Sequence, residues 1–439
     1  MQEAKKVKPP SKPSRRVIFL NLGLFSFLVF LRRGIFYTFM INYLFSLMGT
    51  VTLTTLLGTL NMTASALGQN LLWGKISDRY KLRSKLIIIG ESIAAMAYLL
   101  VFLLQRSLLD VQANFAAGLS LILGFSLLEF FWSMSDVGWA TLLTDVTTNK
   151  TRGGTVGALN FAGSIGRVVG IVAAGFLYND GEGFRQGTLF FLVIAILLIS
   201  VIIMWVTLRN AEKTNVETEK KNVPNVLEKD PVNNNEVKGN NEVYRWFLIA
   251  LIVIVIGAAC VNQVFQLFIR LPEGLNASGP EMGLILTAWN AGGILANLFC
   301  WSFANRIGNV KVLLTGLVLA MITPLFYGSA PTVLTMAFVY GLNGVSFWII
   351  QTAGFAFAGD IIPEDRRGRL FSRYNTVMAL SWGAAGFLLG GPLADIQTHN
   401  FGITSWNAYV NTFYASSIVL LIGSVLFVVK TIRLKTKSN

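Results

Sequence analysis

Long apolar runs, each the length of a membrane-spanning helix, occupy most of this 439-residue sequence. A helix that crosses a bilayer needs about 20 predominantly apolar residues. Charged residues make up only 13% of the chain, about half the usual share of a soluble domain, so one soluble core cannot bury all of these runs. We therefore predict an all-α polytopic membrane protein with twelve transmembrane helices. The predicted spans are 17–46, 51–73, 84–104, 114–142, 154–178, 185–208, 246–269, 281–303, 310–329, 332–358, 370–393 and 406–429.

One polar segment, 209–245, divides the predicted spans into two groups of six. It is rich in Asn, Glu and Lys and has few large apolar residues, a composition typical of flexible linkers. The predicted organisation follows from this division. It is a tail (1–16), a six-helix bundle (17–208), a linker (209–245), a second six-helix bundle (246–429) and a tail (430–439).

Lysine and arginine fall almost entirely on one predicted face of the membrane. If both tails and the linker share a face, that face holds thirty of the 36 basic residues, whereas the opposite loops hold only Arg106, Arg185 and Arg270. Cytoplasmic segments of membrane proteins carry such an excess. We therefore predict a multi-pass protein of the cell membrane with both termini cytoplasmic. The net charge of +14 then reflects topology, and we predict a lipid bilayer and no nucleic acid as partner.

The two predicted bundles contain copies of the same pattern. Asp145 stands seven residues before Arg152 after the fourth span, and Asp360 stands seven residues before Arg367 after the tenth. The basic loop after the second span also has a weaker copy after the eighth. Because the copies occur in the same order and orientation, we predict two bundles related by an axis along the membrane normal.

The loop between the second and third spans contains Gly74, the adjacent Asp78 and Arg79, and the distal Arg83. This pattern resembles the cytoplasmic signature of the major facilitator superfamily. The paired acid and arginine after the fourth and tenth spans resemble two further elements of that family. The resemblance covers the whole transmembrane chain, and it implies two pseudo-symmetric six-helix bundles and transport of a small-molecule substrate.

The resemblance also implies a conformational latch at the cytoplasmic face. In the family, charges of the two halves pair there while the cavity is open to the outside. The alternative is that the basic side chains only determine topology. Carried over residue by residue, the latch consists of Gly74, Asp78, Arg79, Arg83, Asp145, Arg152, Asp360 and Arg367.

Charged residues within the predicted spans are the main candidates for a functional site, because such charges usually line a cavity or pair with each other. Arg32, Glu129 and Arg167 each lie 15 or 16 residues from the cytoplasmic end of their span. Their expected depths therefore agree at roughly 22–24 Å, and Asp136 lies at roughly 14 Å. Arg33 is about 100° around the helix from Arg32, so we expect one of the two arginines to face the cavity.

Two interpretations of the carboxylates remain open. Glu129 and Asp136 are candidate proton carriers, whereas a structural ion pair between Glu129 and Arg167 would leave Asp136 as the better carrier. An unpaired arginine would point instead to an anionic substrate.

The second half places polar but uncharged side chains at matching levels of the predicted spans. Such side chains offer hydrogen bonds and aromatic faces to a substrate, although Asn and Gln also join helices to each other. With Trp132, which shares a helix face with Glu129 and Asp136, they complete the predicted binding and coupling set. The candidates are Asn262, Gln263, Asn343, Gln351, Asn375 and Trp382.

These features predict a secondary active transporter that moves a small polar or amphipathic solute by alternating access, coupled to protons or another ion. The alternatives are a facilitative uniporter, an organic-anion exchanger that uses the membrane arginines and, in another class, a non-transporting membrane sensor. The sequence has no nucleotide-binding loop, metal-ligand set or nucleophile–base pair. We therefore predict no enzymatic activity, no cofactor and no metal site, and we expect a monomer.

Overall fold

The computed structural model describes residues 15–80, 85–147, 152–215, 234–363 and 366–434, and most of them are helical. We number the membrane-length helical rods α1 to α12, and several rods include a π or 3₁₀ turn. The rods are α1 Arg15–Met48; α2 Val51–Leu67 with Gly68–Trp73 and Gly74–Tyr80; α3 Lys85–Asp110; α4 Asn114–Val146; α5 Arg152–Leu177; α6 Thr188–Asn215; α7 Asn234–Ala259 with Val261–Phe268; α8 Gly279–Ile307; α9 Asn309–Ile322 with Thr323–Ser329; α10 Val333–Ile361; α11 Arg367–Ala385 with Gly386–Gly390, Gly391–Asp395 and Ile396–Asn400; and α12 Ser405–Leu426 with Phe427–Ile432.

The surface of these rods is that of a protein embedded in lipid. Ten of them are long and apolar enough to cross a membrane, and α2 and α8 occupy the places of the second and eighth predicted spans. Large apolar side chains remain uncovered, among them Leu20 (71% exposed), Leu100 (60%) and Phe338 (68%). A soluble monomer rarely exposes contiguous apolar surface on this scale. The predicted class, an all-α membrane protein of twelve helices, is confirmed.

Helix packing repeats between the two halves. In the first half α1 packs on α5, α2 on α4, α3 on α4 and α1 on α6. In the second half the equivalent pairs are α7 with α11, α8 with α10, α9 with α10 and α7 with α12. The same six-helix unit therefore occurs twice, as the sequence repeat indicates.

Each half is held together by buried aromatic rings. In the first half, Phe36 contacts Tyr98 and Phe125 edge-on, with ring centroids 4.8 and 4.9 Å apart. In the second half, Phe265 stacks on Tyr340 at 3.9 Å. Such rings bury large apolar areas, so they stabilise the packing of the helices within each half.

The two halves meet along two equivalent pairs of helices, α2 with α11 and α5 with α8. We call the membrane face with the ends of α6 and α7 at Asn215 and Asn234 the tail side, and the opposite face the loop side. On the loop side the backbones of α5 and α8 approach closely, since a Cβ added to Gly175 would lie 2.9 Å from the carbonyl oxygen of Gly279. The two halves are therefore in backbone contact on the loop side.

Parts of two predictions lie outside the described residues. Of the predicted linker 209–245, residues 209–215 continue α6 and residues 234–245 belong to α7, whereas 216–233 are not described. Of the predicted latch, Gly74, Arg79 and Asp360 are described, and the Asp360 carboxylate accepts a hydrogen bond from Asn309 within its own half (2.9 Å). Arg83 and the side chains of Asp78, Asp145, Arg152 and Arg367 lie outside the described part of the structure.

Candidate functional site

A buried ion pair lies at the centre of the first half. Arg32 on α1 is 2% exposed, and its Nη2 lies 4.0 Å from Oε2 of the fully buried Glu91 on α3. The other carboxylate oxygen of Glu91 accepts hydrogen bonds from Trp132 Nε1 (2.7 Å) and Ser135 Oγ (2.9 Å) on α4. Arg32 is thus enclosed among three helices.

Arg33, the next residue of α1, is only half-buried. Its guanidinium carbon lies 4.3 Å from the ring centroid of Trp132, and that of Arg32 lies 4.6 Å from the same ring. A guanidinium at this distance is attracted to the ring electrons. Trp132 therefore holds both arginines, and Arg33 is the more accessible of the two.

The two predicted coupling carboxylates are bound by neutral donors. Tyr37 donates its hydroxyl hydrogen to Glu129 (3.0 Å), and Gln69 Nε2 donates to Asp136 (3.2 Å). Both acids are half-buried. Glu129 therefore has Tyr37 as its partner, and the structure does not place it in an ion pair with Arg167.

Arg167 is an exposed cation at membrane depth. The exposed apolar side chains of α5, such as Phe161, Ile165 and Val169, form a row along one side of that helix. At 100° per residue, Arg167 lies on roughly the opposite side. Its backbone packs against α1, since a Cβ on Gly34 would lie 2.5 Å from the carbonyl oxygen of Arg167. The side chain therefore faces away from lipid, towards the space between the halves.

An aromatic cluster forms the corresponding wall of the second half. Phe347 lies 4.5 Å from Trp382 and 5.4 Å from Trp289, and Trp289 lies 6.3 Å from Trp348, measured between ring centroids. The Trp348 indole fills the space left by the missing side chain of Gly293. Its Nε1 is buried and has no hydrogen-bond partner in the described structure.

The predicted amides of the second half take different positions. Asn343 is buried and bonds Trp289 Nε1 (3.2 Å) and Thr323 Oγ1 (3.1 Å) within its own half. Gln263 lies at the contact with α2, because a Cβ on Gly58 would lie 2.7 Å from its Nε2. The other predicted amides are partly or fully accessible: Asn262, Gln351 and Asn375.

Charged contacts also cross between the halves on the loop side. Asp395 of α11 accepts hydrogen bonds from the backbone amides of Val51 (2.9 Å) and Thr52 (2.8 Å) at the start of α2. Arg270 bonds Asp180 at 2.7 Å beside a cleft of about 380 Å³. These contacts lie on the membrane face opposite the chain ends, away from the buried charges.

Comparison with known families identifies this architecture. A family model described as Major Facilitator Superfamily matches residues 22–273 and, in a second match, residues 267–439. The chain belongs to the major facilitator superfamily. The family predicted from the loop motifs is therefore confirmed, and the protein is a multi-pass membrane protein.

Individual relatives are distant. Multidrug resistance protein 2 of Bacillus subtilis (strain 168) is 26% identical over 191 residues, which cover 42% of this chain and 43% of that protein. The match thus spans less than half of the relative's length. A solved structure of the nucleoside transporter NupG, in a mutant form, has a TM-score of 0.71 at 15% identity and covers 93% of this chain and 100% of its own.

A third comparison is with a transporter homologue solved in two conformational states. A bacterial homologue of the iron transporter ferroportin in the inward-facing state has a TM-score of 0.69 at 15% identity, covering 95% of this chain and 100% of its own. The structure of a bacterial ferroportin homologue in the outward-facing state has a TM-score of 0.60 to this chain. In the part of the chain that the structure describes, no three His, Cys, Asp or Glu side chains are grouped as metal ligands.

Two residues of these networks are absent from the predicted site. Glu91 is the only charged residue between Leu86 and Leu104. A single charge in an apolar span needs a partner, so the sequence does contain a signal for Glu91 as the partner of Arg32. Asp395 lies just beyond the predicted end of span 370–393, where a polar residue is expected in any case. Only the packing of α11 against α2 reveals its role.

Proposed function

We propose that this superfamily member is a secondary active transporter that moves a small amphipathic solute by alternating access. In this proposal the tail side faces the cytoplasm of a cell membrane, the loop side faces outwards, and one chain is the working unit. The name of the Bacillus subtilis relative, a multidrug resistance protein, agrees with a small organic solute. The excess of basic residues on the tail side supports the orientation.

The observation that carries the proposal is the contact of Asp395 with the start of α2. The side chain of Thr50 precedes α2 but does not cap it, so the free amides of Val51 and Thr52 bond a carboxylate of the other half. A carboxylate at a helix N-terminus is also stabilised by the helix dipole. Because this cap requires the two halves to touch, it stabilises one conformation of the transporter and is lost in the other.

Proton coupling is proposed for Asp136 and Glu129. Carboxyl groups at membrane depth commonly serve as proton relays in transporters. Each of the two bonds a neutral donor, Gln69 or Tyr37, and neither has a described arginine within 4.0 Å. Each can therefore gain or lose a proton without breaking a direct ion pair. Glu91, which Arg32 contacts, is assigned a structural role.

Replacing Asp136 with asparagine should strongly reduce solute-driven proton movement, because the amide accepts the same hydrogen bond and cannot carry a proton. The measurement uses proteoliposomes that contain a pH-sensitive dye. Organic anions, organic cations, nucleosides, sugars and amino acids are added outside, one class at a time. We expect at least one class to drive a pH change that falls about tenfold or more in Asp136→Asn. Glu129→Gln should reduce the change less.

The matched control is Asp110→Asn, since Asp110 is an exposed loop-side acid that pairs with Arg106 in its own helix. This variant should keep the rate of the parent protein. Unchanged proton movement in both Asp136→Asn and Glu129→Gln would show that the carriers are misassigned. If no class drives a pH change in the parent protein, the proposal of proton-coupled transport is wrong.

Replacing Asp395 with alanine should shift the transporter away from the state with a closed loop side. Loss of a helix cap costs about 0.5–2 kcal/mol, which changes the ratio of two conformations roughly two- to thirtyfold. Spin labels at Thr188 and Glu273, one in each half, report the loop-side distance. Both native cysteines, Cys260 and Cys300, are buried, so the introduced sites are labelled preferentially. We expect a larger population at long distance in Asp395→Ala.

Asp110→Ala provides the control for this measurement, because it also removes a loop-side carboxylate but leaves the contact between the halves intact. Its distance distribution should match that of the parent. An unchanged distribution in Asp395→Ala would mean that the cap does not influence which state is populated.

A further inference from the structure

Arg167 lies at membrane depth in the first half and has no carboxylate close to it among the described residues. Arg32 has Glu91 beside it, and Asp136 lies in electrostatic range of Arg33. The groups in electrostatic range of Arg167 are Arg33 and the hydroxyl of Tyr340. No described carboxylate lies within 4.0 Å of Arg167. Since charges within membrane proteins almost always have partners, this arginine is available to bind an anion in the central space.

The contact between α5 and α8 indicates what lies across from Arg167. These helices run antiparallel, with Gly175 beside Gly279 and Ile171 beside Gly283. One turn further towards the tail side, the same pairing brings Arg167 to the level of Thr287. The opposite wall at that level is therefore the part of α8 that carries Thr287 and, two residues on, Trp289.

That wall offers hydrogen-bond donors and ring faces. The hydroxyl of Thr287 and the Nε1 of Trp348 are buried and have no partner in the described structure. An indole nitrogen can only donate, and a hydroxyl can donate as well as accept. Trp289, Trp348 and Trp382 form one aromatic cluster. The guanidinium of Arg167 and the hydroxyl of Thr287 suit a ligand that supplies acceptors, and the rings suit a planar apolar body. The Nε1 of Trp348 instead packs against Gly293.

We propose that the substrates are amphipathic organic anions, with a carboxylate, sulfonate or phosphate group bound by Arg167 and a planar apolar body packed on the Trp348–Trp382 wall. This inference rests on the proposed function as a small-molecule transporter and adds the substrate class. A guanidinium binds such acid groups through two parallel hydrogen bonds. Arg33 adds a second positive charge nearby. An organic cation placed in the same position would meet Arg167 without a carboxylate to offset the repulsion.

Three probes with the same ring system test the charge preference. They are naphthoate, naphthamide and a naphthylmethyl-trimethylammonium ion, and their binding to the purified full-length protein in detergent is measured by titration calorimetry. We expect naphthoate to bind at least about tenfold more tightly than either other probe. The inference is overturned if the ammonium ion or the amide binds as tightly as naphthoate, or if naphthoate does not bind.

Variants assign the preference to Arg167. Arg167→Gln should weaken naphthoate binding at least about tenfold, and Arg167→Lys should retain part of the affinity because the charge remains. Arg106→Gln is the control, since Arg106 is an exposed loop-side arginine, and it should bind naphthoate like the parent. Unchanged affinity in Arg167→Gln overturns the inference. If that variant does not fold, the inference is tested by the probe series on the parent protein and by the naphthoate affinity of Arg167→Lys.

Transport of the same probes separates this inference from the proposed function. Proton-coupled flux of the ammonium ion in proteoliposomes, with none of naphthoate, would overturn the anion preference and leave the transporter proposal standing. Tight naphthoate binding without flux of any solute would overturn the transporter proposal and leave the binding site standing.

Discussion

Replacing Glu91 with glutamine should destabilise the protein by about 3–5 kcal/mol, the usual result of removing one partner from a buried ion pair. Glutamine can still accept the hydrogen bonds that Trp132 and Ser135 donate. Its neutral amide cannot offset the charge of Arg32, which is 2% exposed. The free energy of unfolding, measured by titration with a denaturing detergent, should fall accordingly.

A double substitution distinguishes lost charge balance from lost packing. Arg32→Gln combined with Glu91→Gln removes both charges, so it should be more stable than Glu91→Gln alone. Arg106→Gln removes one partner of an exposed pair and should change stability by about 1 kcal/mol or less. If Glu91→Gln lowers stability no more than Arg106→Gln does, the buried pair is not what holds α1, α3 and α4 together.

The sequence predicts the fold of this protein well because membrane spans have strong one-dimensional signals. Twenty apolar residues in a row, and basic residues between them, can be recognised without knowing any contact. The repeat adds the relation between the halves, since equivalent helices pack in equivalent pairs. Exact helix ends are harder, because polar residues can extend a helix past the apolar run. The sixth rod, α6, continues to Asn215 beyond the predicted end at 208.

The candidate site is less predictable because depth along a helix does not identify a partner. Equal depth along the helices predicts that Arg32, Glu129 and Arg167 lie at one level of the membrane. Depth does not identify the partner of each charge. In the structure Glu129 bonds Tyr37, and Arg32 contacts Glu91. Which side chains contact each other depends on the rotation and spacing of neighbouring helices, and side-chain packing determines both. Whether these residues bind or couple substrate remains a prediction.

Replacing Gly166 with leucine should separate α1 from α5, with a large loss of stability and of any binding that needs Arg167. A Cβ at Gly166 would overlap the backbone carbonyl of Phe27, and one at Gly170 would overlap that of Leu31. Backbone atoms cannot move aside as a flexible side chain can. Helices that pack this closely in membranes depend on small residues at the contact. We expect a loss of about 3 kcal/mol or more, since forced overpacking costs about 1–3 kcal/mol even in more tolerant cores.

Gly157 on the same helix is the matched control, because nothing lies within 4 Å of the position its Cβ would take. Gly157→Leu makes the same chemical change, and since leucine favours helices over glycine by up to about 1 kcal/mol, it should leave stability unchanged or slightly higher. Equal losses in the two variants would mean that glycine itself, rather than the crossing, matters in α5. A loss confined to Gly166→Leu, together with weaker naphthoate binding, would indicate that the crossing of α1 and α5 positions Arg33 and Arg167 side by side.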